Sequence, residues 1–558
     1  MSEITGIFSK NKSEIKNFVN NKSEGEIIVA KNNLAIRIRG LKNKTYFYKT
    51  YGNRGWISLG TGLIEKYNKF KIMNAELWDE TYSSGHFPKA GHFLFITWDE
   101  NKLKIKNDSL GVRDLYYYKK NDILLFSSKV NEIVKSFSDF TIDFETIGGD
   151  YVLGERLSYK TEIKEIKKIG PDTIAEFTQN RILISKQYTL LDRDKSLYGN
   201  ISEYFKQLFT ISDDYKISLG LSGGVDSRIL LAYLLRNKIN FTTHSFGLTN
   251  DKDNIVARQM ADKIGFENHI YNTFDSSKII SMFANFLSFN PFNTGLDRVP
   301  YYYNLSDFGN KDYVFIDGQF GEFIRNELYK KVRILETIRR LNDKNLLKIM
   351  KHSIPPIFSG EILNIMQRGA EIQIAESISD YRQKYAEFMN FSDYLALLYH
   401  FPNKMARDQA RIDEYCLSMM PFAQSILIRS ILYPHRKIFN EKIIEHISPH
   451  LKHYPLVKNN KFYPYNRYMK IFMIGKEKFI GRTNGNSHIY DSTFLSNKLK
   501  EYILDETSYS KFLNSSVFNV KFVKDTVNKF YLKKETTSLT ALKYFLSFYM
   551  VPQIKKLL

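Results

Sequence analysis

Cys416 is the only cysteine in 558 residues. A single thiol excludes an intramolecular disulfide and any cysteine-built zinc cluster, and it fits a reducing compartment. Set in Tyr-Cys-Leu-Ser-Met-Met with no base nearby, it reads as a small buried apolar residue rather than a nucleophile. Long hydrophobic runs are lacking too. No stretch approaches the roughly 18 uninterrupted apolar residues of a membrane span, and Met1 to Lys10 has no apolar core of a secretion signal, so the expected location is cytoplasmic. Arginine-rich runs and nucleic-acid motifs are also missing, although the formal charge is +21. Arg436 to Leu558 alone holds 22 Lys and Arg against 9 Asp and Glu. Such an excess attracts nucleic acid, anionic lipid or an acidic substrate. Lys, Asn and Ile are abundant along the whole chain, however, and a solvated surface is the plainer reading, which points away from nucleic acid as a partner. With 43% hydrophobic and 15% aromatic residues, the chain can pack the cores of two or three domains.

The most informative stretch is Leu219-Gly-Leu-Ser-Gly-Gly-Val-Asp-Ser227. Tyr215 to Leu219 is expected to be a buried strand, Ser222 to Ser227 a loop, and Arg228 to Arg236 a helix whose free N–H groups face whatever the loop holds. Gly223 and Gly224 let backbone approach oxygen atoms closely, with Val225 continuing the loop, and Ser222 and Ser227 add hydroxyl donors. Asp226 places a negative charge beside the expected anion, which makes sense only with a cation between them. An ordinary strand-to-helix turn is the bland alternative, and six consecutive positions of suitable type weigh against it.

This loop resembles the Ser-Gly-Gly-x-Asp-Ser pyrophosphate loop of the ATP pyrophosphatases, which cleave ATP to AMP and pyrophosphate while adenylating a substrate. The resemblance implies ATP and Mg2+ as cofactors and leaves the substrate open.

Up to about Tyr188 the sequence alternates short Val/Ile/Phe/Tyr runs with Asn, Lys and Gly turns, as in Glu26 to Ala30, Ala35 to Arg39, Thr45 to Tyr48 and Phe93 to Trp98. That pattern predicts a β-rich domain. Gly91-His-Phe-Leu-Phe, Asp108-Ser-Leu-Gly-Val-Arg-Asp-Leu-Tyr-Tyr117 and Tyr151-Val-Leu-Gly154 resemble the class II glutamine amidotransferase domain of asparagine synthetases. In that family the nucleophile is an N-terminal cysteine. Here Met1-Ser2-Glu3-Ile4-Thr5-Gly6-Ile7-Phe8 keeps the frame without the thiol, and the family's glutamine-holding segments are not recognisable. A hydroxyl is a far poorer nucleophile unless base and oxyanion donors are in place. The resemblance therefore implies a scaffold without glutaminase activity, as in the β-lactam synthetases.

Beyond Asn200, helical patterns separated by short apolar strands predict a parallel α/β unit. Phe241 to Phe246 is a second strand, and Asp253 to Ile264 a helix capped by Gly265. Ligands lie beyond the carboxyl ends of such strands, so Ser245, Phe246 and Gly247 are candidates for an adenine wall. Tyr313 to Ile316 leads into Asp317-Gly-Gln-Phe-Gly-Glu322, which resembles the asparagine synthetase segment that closes over AMP. The resemblance implies Gly318 beside the nucleotide and Glu322 with Asp226 as ligands of Mg2+. Gln319 stands where asparagine synthetases have Glu and β-lactam synthetases a catalytic Tyr, and an amide cannot accept a proton at neutral pH. Asn403 to Glu414 and Met420-Pro-Phe-Ala423 resemble the substrate side of the family, but Leu417, Met419 and Gln424 replace its usual Glu, Arg and Asp, which argues against aspartate as substrate. Tyr433 to Glu445 resembles the helix headed by the family's catalytic lysine, with Lys437 fitting best and Lys442 second. The apolar face of Leu539 to Val551 is expected to pack on the core.

The expected architecture is thus α/β: an N-terminal-nucleophile-type β-rich sandwich over 1–190, then a parallel-sheet ATP pyrophosphatase domain over 200–558. The expected function is an AMP- and pyrophosphate-forming ligase or cyclase joining a carboxylate to an amine, with a peptide among the candidate substrates, without glutamine hydrolysis. A tRNA-modifying pyrophosphatase and a non-catalytic nucleotide-binding protein are the alternatives.

Overall fold

A computed structural model describes residues 3–554, apart from 22–24, 32, 137–139, 179, 192–200, 273–274, 290, 293–298, 310–311, 339, 433–441, 459–460, 466–472, 474–495, 509 and 552–553. The first part of the chain forms two antiparallel sheets. One has six strands, with Glu3–Phe8 between Leu34–Arg39 and Ile123–Ser127; the other has seven, with the long strand Arg54–Lys66 paired to Ala90–Trp98.

Ala90–Trp98 shows why the sequence there is apolar at nearly every position. Leu94 and Ile96 face a core shared with Ile4, Ile36 and Phe126 of the six-stranded sheet, whereas Phe93 and Phe95 pack on Trp56 and Trp78 on the other side. A strand covered on both faces has no solvent-facing alternate. Gly6 lies opposite Phe126 in the central strand, and a Cβ there would fall 2.2 Å from the Phe126 ring. The glycine of the N-terminal frame is thus required by packing, independently of any chemistry at Ser2, which lies outside the described residues.

The last strand of these two sheets ends at Lys186, and helix Ile201–Leu208 leads into a five-stranded parallel sheet. Its order is Asn268–Tyr271, Phe241–Phe246, Lys216–Gly220, Tyr313–Ile316, Leu417–Met419. The chain moves outward from Lys216–Gly220 through two strands on one side, then returns to place Tyr313–Ile316 on the other. Between those two central strands the direction of winding reverses, and a crevice opens at their carboxyl ends. Helix Lys252–Ile264 stops at Gly265, whose φ of +91° is left-handed. Leu539–Tyr549 buries Leu542, Phe545 and Leu546, and its Phe548 meets Tyr151 edge-on, so this helix packs on the core.

The antiparallel and parallel regions share one continuous apolar core. Polar ties cross it: Thr61 donates to the Ser418 carbonyl at 2.9 Å, Arg113 pairs with Asp413, and the Gln424 amide accepts from Gly91 N–H and donates to His92 Nε2, each at 2.8 Å. Gln424 therefore ties the sheets together rather than facing a substrate. Leu417 and Met419 are buried in the fifth parallel strand, where a charged side chain would be costly without a partner.

Burial, reinforced by the nearby Arg113 guanidinium, pushes His92 down to about 3 from 6.5. The unfolded chain takes up a proton below pH 6.5 that the folded chain refuses, so stability falls as pH drops from 6.5 toward 3. At pH 5 this site costs about 2 kcal/mol relative to pH 7. Urea unfolding at both pH values is expected to show a loss smaller by about that amount in His92→Gln; equal losses in the two proteins would refute the assignment.

Candidate nucleotide site at the switch point of the parallel sheet

Lys216–Gly220 carries buried Ile217, Ser218 and Leu219 between its two neighbours, and the chain leaves it through Leu221 to Gly224 into helix Val225–Arg236. The helix starts three residues earlier than its apolar pattern predicts, because Gly224 is its extended N-terminal cap and Asp226 and Ser227 already lie in the first turn. Ser227 Oγ accepts from Ser222 N–H at 3.2 Å and lies 3.0 Å from Ser222 Oγ, which in turn accepts from Gly224 N–H at 3.2 Å. The two hydroxyls thus fix the curvature of the loop.

The reason for Gly223 differs from the expected close approach of an oxyanion. A Cβ at Gly223 would fall 2.3 Å from a Val457 methyl, and the Val457 N–H donates to the Gly223 carbonyl at 3.0 Å. Arg228, fully buried, locks this contact by donating to the carbonyls of Gly223, Leu451, Tyr454 and Pro455 at 2.9 to 3.2 Å. The Gly223 N–H itself is held by Asp253 Oδ1 at 2.7 Å. Gly224 is less crowded than Gly223, the nearest atom to a Cβ placed there being Ser222 Oγ at 3.1 Å.

Tyr313–Ile316 delivers Asp317 to Glu322 against the start of the same helix. A Cβ on Gly318 would lie 2.7 Å from Ser227 N, and one on Gly321 would lie 2.3 Å from the Asp226 carboxylate. Phe320 takes a left-handed φ of +68°, a costly conformation for a bulky residue, and its ring is held by Phe323 and Phe401 with centroids at 4.7 and 4.4 Å.

Loop and turn together line one cavity of about 710 Å³, within the roughly 300–1,000 Å³ typical of small-molecule sites. Of the residues expected to contact nucleotide or metal, Ser222, Gly224, Asp226, Ser227, Ser245, Phe246, Gly318 and Glu322 line it; Gly223, Val225 and Gly247 do not. Ser245 spends its hydroxyl on the Leu221 carbonyl at 2.8 Å, while Phe246 meets Tyr301 edge-on at 4.6 Å and offers an aromatic wall. Gly247 instead has φ of +104°, with Asp251 Oδ2 2.6 Å from where a Cβ would be. Lys437 lies outside the described residues. Lys442 heads helix Lys442–Ile447, which buries Ile444 and leaves the lysine exposed away from the cavity.

His244 and His400 on the walls are not singled out by the sequence, whereas Lys404 and Met405 belong to the Asn403 to Glu414 stretch that resembles the substrate side of the family. His244 is sandwiched by Phe246, Phe308 and Phe315, contacts Ser218 Oγ through Nδ1 at 2.8 Å, and is held near 3 by burial and then by His269, so it is neutral. His400, Lys404 and Met405 come from a wide-turned π-helical segment, Ala396–Met405, that accommodates Pro402. His400 Nδ1 lies 3.0 Å from Glu155 Oε1, and Tyr329 donates to the other oxygen. Burial pushes Glu155 up, but His400, Lys404 and Tyr329 together hold it below the usual carboxylate range. Gln319 adds a buried amide oxygen with no hydrogen-bond partner among the described residues.

The expected Mg2+ pair does not fit the donor set. Both Asp226 oxygens are taken by Arg325, through Nε at 2.6 Å and Nη2 at 2.9 Å. Asp253 is held by Gly223 N–H and Asp317 accepts from Gln319 N–H at 3.0 Å, while Glu322 is exposed. Among the described residues no group of three or more His, Cys, Asp or Glu side chains is arranged to hold a metal, and no helix is long and apolar enough to cross a membrane.

Residues 210–288 match the family model of asparagine synthase. No curated protein sequence matches this one. Similar solved structures include the allosteric regulatory enzyme of purine biosynthesis, at 12% identity over 48% of this chain and 74% of that one, with a TM-score of 0.21. Glutamine phosphoribosylpyrophosphate amidotransferase from B. subtilis, complexed with ADP and GMP, is 12% identical over 49% of this chain and 61% of its own, with a TM-score of 0.20. Glutamine-dependent NAD+ synthetase from Acinetobacter baumannii, in complex with ADP, is 16% identical over 32% and 40%, with a TM-score of 0.17. Superpositions this loose carry no argument about function. The family match covers Lys216–Gly220, the serine-glycine loop, its helix and the Phe241–Phe246 wall, and on that region the chain is asparagine synthetase-like.

Proposed function

We propose that the chain is an ATP-dependent carbon–nitrogen ligase of the AMP-forming type. In this reading a substrate carboxylate attacks the α-phosphorus of ATP, the α–β bridging bond breaks, and pyrophosphate leaves. An amine then attacks the acyl-adenylate, forming the amide and releasing AMP and a proton. The observation that carries the reading is the convergence of the Ser222–Ser227 loop and the Asp317–Glu322 turn on one cavity at the switch point. Ser222, Gly224 and Ser227 would hold phosphate, and Phe246 with Tyr301 would stack adenine. A cation near the reacting carbonyl would come from Lys404 or Lys437. Gln319 cannot accept the amine's proton; His400, on the cavity wall with Nδ1 3.0 Å from Glu155 Oε1, would be the base. Mg2+ on Asp226 and Glu322 takes no part in these steps, because Arg325 already holds Asp226.

Residues 1–190 would serve as a scaffold of amidotransferase type, and 200–558 as the ligase unit. The amine would then belong to the substrate, in a cyclisation, or to a second molecule, rather than derive from glutamine.

Ser222→Ala and Ser227→Ala are each expected to weaken ATP binding about ten- to a hundredfold by calorimetry, the loss of one hydrogen bond to a charged phosphate; unchanged affinity in both would move the phosphates elsewhere. Pyrophosphate release measured across a panel of carboxylates is expected to identify the substrate class, and ADP with phosphate as products would rule out the mechanism. Incubation with glutamine, with and without ATP, is expected to yield no glutamate; a rate abolished by Ser2→Ala would restore glutamine as nitrogen donor.

A further inference from the structure

Asp226 sits in the first turn of helix Val225–Arg236, at the positive end of the helix dipole and on the wall of the cavity. Left alone, its charge would repel the phosphates that the loop is shaped to receive. The Arg325 guanidinium covers both Asp226 oxygens in a planar two-bond fork and places Nη1 2.9 Å from Glu327 Oε1. Its side chain is 9% exposed. The fork depends on the glycine at 321, since any side chain there would strike the Asp226 carboxylate.

We propose that Arg325 is the resident cation of the phosphate site, occupying Asp226 so that the pyrophosphate end of the nucleotide binds without a divalent ion on that carboxylate. The inference rests on the reading of the loop as a phosphate site. Neutralising Asp226 leaves the amide-rich start of the helix free to attract an anion. A metal ion entering Asp226 would have to strip a buried guanidinium of two charge-assisted hydrogen bonds and leave it with Glu327 alone. Of the neighbouring carboxylates, Asp253 and Asp317 are held by backbone N–H groups, which leaves such an ion the exposed Glu322 alone. The sequence of the loop demands a cation, and the chain supplies it from the turn that closes over the site.

The test uses the full chain and two defined probes, ATP and inorganic pyrophosphate, titrated by calorimetry in EDTA and in excess Mg2+. In the wild type the affinities in the two conditions are expected to agree within about threefold. In Arg325→Ala, affinity in EDTA is expected to fall more than about tenfold and to recover with Mg2+, because the vacated Asp226 can then take the ion. Mn2+ binding followed by electron paramagnetic resonance gives a second readout that does not depend on the Arg325→Ala variant folding: the wild type, with probe absent, is expected to show no Mn2+ site sensitive to Asp226→Asn. Wild-type binding that needs Mg2+, together with a Mn2+ site lost in Asp226→Asn, would overturn the proposal. Absence of ATP and pyrophosphate binding in both conditions would overturn it by removing the phosphate site itself, and thus separates that failure from a failure of Arg325 alone.

Discussion

Two backbone stretches from distant parts of the chain touch at the carboxyl ends of the central parallel strands, and glycine permits the contact. Gly318 and Gly321 lie where a Cβ would collide with Ser227 N and with the Asp226 carboxylate. Only with hydrogen at those positions can the turn after Tyr313–Ile316 close over the helix that begins at Val225. The closure brings Arg325 onto Asp226, shapes the cavity, and strains Phe320 into a left-handed conformation that Phe323 and Phe401 hold in place. A second tether works from the other side of the loop, where buried Arg228 and Val457 bind the chain near residue 455 to Gly223. The loop is clamped between these two contacts, which suits a site that must present fixed donors to a charged ligand.

The antiparallel sheets contribute to the site through position. Ile7, Leu63 and Leu125 of these sheets belong to the apolar cluster of the parallel region, and His92, Gly91, Thr61 and Arg113 grip the segment Asp413 to Gln424. That segment carries the fifth parallel strand. Glu155, contributed by the first part of the chain, backs His400 at the cavity wall. The first part of the chain is thus tied to the parallel region and to the cavity wall by these contacts.

Much of this can be read from the residues. The strands at Glu26–Ala30, Phe241–Phe246 and Tyr313–Ile316 and the left-handed cap at Gly265 follow from local patterning, since each depends on its own few residues. The serine-glycine loop stands out in the sequence because its candidate donors are consecutive. What escapes a reading of the sequence depends on contacts between residues far apart. The need of Asp226 for a cation is visible, but Arg325 lies 99 residues away and looks like any charged residue of a turn. Gln424 reads as a lost substrate anchor, yet its partners, more than 300 residues earlier, make it a tie between sheets. Gly223 reads as cut for phosphate, whereas Val457 occupies the space beside it. His400 reaches the cavity from a π-helical segment whose wider turn has no signature in the 3.6-residue pattern.

The central claim concerns where a nucleotide's phosphates lie, and a crystal structure of the full chain with a non-hydrolysable ATP analogue would locate them. The β- and γ-phosphates are expected against Ser222, Gly224 and Ser227, the base beside Phe246, and the Arg325 guanidinium still on Asp226. Phosphates bound away from the loop, or Asp226 released from Arg325 and coordinating a metal ion, would contradict it.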